Sequence, residues 1–168
     1  MRQTTVSDFV ATIRAPLLAA ATFAAAALGP AVGSAQDILQ PDAAFSAKKV
    51  VSIQLTALQR NDTPSEDAGI RQAWAFAHPD NRRVTGPYPR FARMIKARAY
   101  EVLLGHRDHA IEKVAQTDGM ARFAVTVTAR NGKAYGYQWE VRKISDGENA
   151  GAWATTAVSP PMDAGDST

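Results

Sequence analysis

The sequence predicts an α+β domain, with helices first and antiparallel strands after them. Three observations carry this. Apolar residues recur at helical spacing between Asp42 and Tyr100. The period then drops to about two between Ala110 and Val158, which is the side-chain repeat of a half-buried strand. Asp118-Gly119, Asn131-Gly132 and Asp146-Gly147 punctuate that second half, and such dipeptides suit the positive φ of tight hairpin turns.

The elements follow in order. Residues 36–41 read as a linker closed by Pro41. Asp42 is a candidate N-cap, and Ala44, Ala47, Val51, Leu55 and Leu58 make one apolar stripe, so the first helix is expected over 42–60. "RNDTPSED" (Arg60–Asp67) is turn chemistry, with Thr63 or Ser65 able to cap a second helix and Pro64 suited to its first turn. Ile70, Ala73, Trp74 and Ala77 give that helix its stripe. His78-Pro79 ends it, because the residue before a proline is pushed out of helical backbone. Residues 78–89 read as loop, and a third helix runs from about Pro87 to Tyr100, apolar at Phe91, Met94 and Ile95. Strands follow at Ala110–Ala115, Met120–Ala129, Ala134–Ile144 and Ala152–Val158. Phe123, Val125 and Val127 share a face with Tyr135, Tyr137, Trp139 and Val141. The single domain therefore spans 42–158, and the polar, proline-containing 159–168 reads as a disordered tail.

Ahead of the domain, Arg2 and Arg14 flank the start of "APLLAAATFAAAAL" (Ala15–Leu28), which Gly29-Pro30 breaks. A spanning helix needs about 20 apolar residues, so this shorter run reads as the core of a secretory signal, residues 1–35, cleaved after Ala35. The expectation is a periplasmic or secreted protein without stable membrane insertion. Cysteine is absent from all 168 residues. That excludes disulfides, zinc–thiolate sites, iron–sulfur clusters and a cysteine nucleophile. A net charge of +3, two basic residues and one acidic of which lie in the first 35, is too mild to expect a nucleic-acid partner. No cofactor motif is present: there is no glycine-rich phosphate loop, no G-x-S-x-G and no H-E-x-x-H.

"WAFAHP" (Trp74–Pro79), "YPRFARMIKARAY" (Tyr88–Tyr100) and "ARNGKAYGYQWEVRK" (Ala129–Lys143), followed by Asp146-Gly147 and Trp153, resemble the landmarks of a bacterial family known as domain-of-unknown-function 4864. The resemblance covers about residues 43–158. It implies membership of the nuclear transport factor 2-like superfamily, in which three N-terminal helices pack on a curved antiparallel sheet of four or more strands and leave a conical pocket. It implies no activity, since one fold hosts many functions. The chain departs from the family pattern at "EVLLGHRDHA" (Glu101–Ala110), where a basic, proline-containing segment is usual, and again at Ala154, Thr155 and Thr156 after Trp153.

Several residues are candidates for function. Trp74, Tyr88, Phe91, Tyr100, Tyr135, Tyr137 and Trp139 are aromatic positions expected around a pocket for a small apolar ligand, or within the plain sheet core. Arg90, Arg93 and Lys96, with Arg82, Arg83 and Arg98 near them, are the most uneven charge in the chain. They read as a solvated helix face or as a surface for acidic lipid or an acidic envelope partner. His106-x-x-His109 with Asp108 reads as a solvated loop rather than a metal site, which needs three or four ligands. His78 reads as the C-terminal residue of a helix, or else as a general base. The strand face expected to be concave carries no Asp, Glu or His. The functional expectation is therefore non-enzymatic binding of a small ligand or a protein partner, with a homodimer formed through the sheet. The alternative is a small lyase or isomerase working through Tyr88, Tyr100, Tyr137 or His78.

Overall fold

Ser46 starts the first helix, α1 (Ala47–Gln59): its backbone is extended (φ −69°, ψ 156°) and its hydroxyl accepts from the Lys49 N–H. Asp42, the expected cap, instead closes a turn, accepting from Ala44 N–H at 2.8 Å, so the helix begins five residues late. The computed structural model describes residues 37–166, and the expected export segment and its cleavage point lie outside them. Along α1, Ala47, Val50, Val51, Gln54, Leu55 and Leu58 are buried, the three-and-four spacing of one core-facing stripe. The second helix, α2 (Ala68–Ala75), is capped from a distance. The Asn61 side chain accepts from Ile70 N–H at 3.1 Å. Gly69 lets α2 touch α1, since a Cβ there would collide with the Ala57 carbonyl.

The helices number four, not three. The second helix stops at Ala75, short of His78-Pro79, and Pro79 opens α3 (Pro79–Thr85) from the N1 position, where a proline loses nothing because that N–H has no helical partner. The expected third helix is the fourth, α4 (Tyr88–Ile95), and it stops at Lys96. A separate 3-10 turn, Glu101–Leu103, follows.

The sheet is antiparallel and open. β1 (Asp108–Gln116), β2 (Met120–Thr128), β3 (Lys133–Lys143) and β4 (Trp153–Val158) lie in that order, as the alternation predicts. The register aligns Phe123 with Trp139, Val125 with Tyr137 and Val127 with Tyr135, placing the expected apolar set on one face. That face packs on the helices, and Phe123, Val125, Val127, Tyr137, Trp139 and Val141 are buried there. Across the opposite face Glu112, Arg122, Ala124, Thr126, Gln138 and Arg142 are exposed. The pairing of β1 with β2 slips between Lys113 and Ala115, leaving the intervening Val114 67 % exposed. The segment read as a disordered tail supplies a fifth strand, β5 (Met162–Asp166), which pairs with β3 beyond the end of β4. Its polar composition concealed this, because backbone pairing at an edge needs no apolar side chains. No helix among the described residues is long and apolar enough to cross a membrane.

Candidate functional site

The helix-facing side of the sheet holds two kinds of polar group, and their hydrogen bonding sorts them. The first is a closed chain. Trp139 Nε1–H donates to Thr155 Oγ1 at 3.0 Å, Thr155 Oγ1–H donates to Gln54 Oε1 at 2.5 Å, and Gln54 Nε2–H donates to the Ala73 carbonyl at 2.9 Å. Gln54 and Thr155 are both buried. This chain ties β3 to β4, α1 and α2 and leaves none of these groups open, so the Trp139 indole serves the core.

The second is a group of tyrosines. Tyr137 is 1 % exposed and its hydroxyl has no hydrogen-bond partner. Burial, and then the neighbouring Tyr135 and Tyr100, push its phenol up to about 12, so at neutral pH it is a donor and not a base. Tyr135 and Tyr100 are half-buried beside it. Tyr100 donates to the Val158 carbonyl at 3.2 Å, and burial raises its phenol too.

The remaining aromatic candidates are carried by α2 and α4. Trp74 lies 4.9 Å from Phe91 and 6.4 Å from Tyr88, ring centre to ring centre. The Arg82 guanidinium lies 5.0 Å from the centre of the Trp74 ring and donates to the Trp74 and Ala75 carbonyls. Arg82 thus covers the end of α2, satisfying carbonyls that a helix leaves orphaned. Trp74, Tyr88 and Phe91 belong to the same continuous core cluster as Tyr100, Tyr135, Tyr137 and Trp139.

The basic residues are mostly engaged. Lys96 pairs with Asp67 at 2.7 Å and with Glu66 at 3.9 Å. Burial works to raise the Asp67 carboxyl, but Lys96 and the Asn61 amide outweigh it and hold the group below the ordinary carboxylate range. Arg83 pairs with Asp80. Arg90 and Arg93 are exposed on α4 with no ion pair among the described residues. Lys96 is thus paired while remaining part-exposed, and among the described residues Arg90 and Arg93 are not paired. An open cleft of ≈ 790 Å³ lies beside the Asp67–Lys96 pair, with Asn61, Glu101 and Arg130 on its walls. None of the seven aromatic candidates lines it, and its acids and bases largely neutralise one another.

Both histidine expectations are corrected. His78 is the N-cap of α3, its Nδ1 accepting from Asp80 N–H at 3.1 Å, because Pro79 begins a helix. His106 is not solvated: Gly105 (φ +64°) turns the chain inward and leaves His106 3 % exposed. Its Nδ1 lies 2.8 Å from the Leu103 carbonyl and its Nε2 2.7 Å from His109 Nδ1. Among the described residues no three His, Asp or Glu side chains come together in a metal-binding group.

No signal in the sequence could join Gln54 to Thr155, which lie 101 positions apart. Spacing alone could pair His106 with His109, but not bury them. No curated protein and no solved structure matches the chain. A family model described as Domain of unknown function (DUF4864) matches residues 40–160, most of the chain, and the protein belongs to that family.

Proposed function

We propose that the protein is an exported, non-enzymatic binder of a small, largely apolar molecule that carries one hydrogen-bond acceptor. The Tyr137 hydroxyl is the donor that receives it, and the fold is a member of the nuclear transport factor 2-like cones. One observation carries the reading: Tyr137 Oη is the one buried side-chain polar atom without a partner among the described residues. A buried group left unsatisfied costs about 1–3 kcal/mol, and a ligand acceptor recovers that cost. Tyr100, held by a single 3.2 Å bond, and Tyr135 act on Tyr137 from nearby and complete the polar end of the site. A phenol raised to about 12 favours donation over acid–base chemistry near neutrality.

The test is native mass spectrometry of the protein purified gently from its own cells, beside Tyr137→Phe. A dissociable added mass in the parent, absent from a folded Tyr137→Phe, is expected. A bare mass in the parent, or the same adduct in both proteins, overturns the reading.

A further inference from the structure

The His106–His109 contact has a forced arrangement of protons. The Leu103 carbonyl can only accept, so His106 Nδ1 carries a hydrogen and donates to it across 2.8 Å. In the neutral ring His106 Nε2 is then an acceptor. The hydrogen in the 2.7 Å contact therefore belongs to His109 Nδ1, and His109 Nε2 keeps its lone pair. Both rings are Nδ1–H tautomers. A proton added at His109 Nε2 leaves this geometry intact. A second one has only His106 Nε2 to go to, and two hydrogens cannot share a 2.7 Å gap.

We propose that His106 and His109 form a latch that stays closed with no added proton or one, and opens when both rings are charged. What it fastens is the turn from the 3-10 segment into β1. That turn is held otherwise by Gly105 N–H on the Leu58 carbonyl at 3.0 Å, Arg107 N–H on the Thr128 carbonyl at 2.8 Å, and the Gln59 amide on the Arg107 carbonyl at 2.8 Å. On opening, His109, half-buried on the edge strand, swings outward and leaves His106 charged and buried without an acceptor.

Few other groups act on the pair. Asp108, the next residue on β1, favours the charged form of both rings, and burial opposes it more strongly. From α1 comes the neutral Gln59 amide, from β2 the register partner Val127, and from the 3-10 turn the Leu103 carbonyl. Arg130 donates to the Gly105 carbonyl at 2.8 Å, on the turn rather than on either ring.

Two measurements on the whole chain test this. Nitrogen-15 shifts of the imidazoles at pH 8 should show both rings as Nδ1–H tautomers, and an Nε2–H tautomer at either ring overturns the proposal. Amide exchange at Gly105 and Arg107, corrected for intrinsic rates, should accelerate between pH 6.5 and 5 by more than the roughly tenfold per pH unit that one proton allows. Amides of α1 serve as the global reference. In His109→Asn the amide nitrogen takes the place of Nδ1 and donates to His106 but binds no proton, so the slope should fall to tenfold or less. A parent slope of tenfold or less, or a steep slope kept in His109→Asn, sinks the latch.

Discussion

Tyr137 and Trp139 stand two residues apart on β3, face the same helices and are equally hidden from water. Their polar atoms have opposite fates. The Trp139 N–H enters a chain that runs through Thr155 and Gln54 to the Ala73 carbonyl. The Tyr137 hydroxyl meets nothing. Burial alone therefore does not distinguish a satisfied aromatic from an unsatisfied one here, whereas a count of open hydrogen-bonding valences does.

The comparison can be broken most forcefully at Thr155. Thr155→Val keeps the shape and removes the hydroxyl, stranding the Trp139 N–H and the Gln54 carbonyl oxygen together. With each stranded group costing about 1–3 kcal/mol, unfolding in denaturant should show a loss of about 2–5 kcal/mol. A loss under about 1 kcal/mol would mean that the chain contributes little.

Tyr137→Phe should move the other way. Removing an unsatisfied buried hydroxyl should stabilise the ligand-free protein by about 1–3 kcal/mol, read from the same denaturation curves. If the variant is destabilised, the hydroxyl has a partner in solution and the contrast with Trp139 disappears.

The two residues also differ with pH. The native state favours the neutral Tyr137 phenol, whose pKa rises from an ordinary 10.0 to about 12. Its contribution is thus complete below pH 10 and is lost as the pH climbs through about 12. A phenolate absorbance step near pH 12 should vanish in Tyr137→Phe and persist in Thr155→Val. The smallest effect is expected at the surface: Lys96→Ala removes a solvent-screened pair with Asp67, so the denaturation midpoint should barely move and the Tyr137 titration should stay in place.

Much of the sheet was legible in the sequence because period-two alternation and Asn-Gly or Asp-Gly turns act locally. The shared face of Phe123, Val125, Tyr137 and Trp139 could be read from strand positions alone. The helices were harder. Asp42 and Ser46 are both good caps, and only the packing of Ala47 and Val50 decides between them. Pro79 begins a helix, and the pre-proline rule sees only an ending. The aromatic positions of the candidate site were legible as one apolar set and do share a core, but the open valence at Tyr137 Oη depends on which partners the fold brings near it, and no local pattern encodes that. The environment of His106 depends on a single positive φ at Gly105, which composition and spacing do not reveal.

The slipped register at Val114 has a consequence for how the molecule keeps to itself. β1 is a nine-residue strand at the rim of an open sheet, and such a rim offers a template on which another chain's strand can add. The bulge breaks the even spacing of outward N–H and C=O groups near the far end, after Lys113. An incoming strand can match the stretch before it or the short one after it, but not both. An exposed valine on an edge strand would by itself invite association; here it sits where regular pairing is interrupted, on a strand that also carries Asp108, Glu112 and Lys113, two ways of blunting an edge on one element.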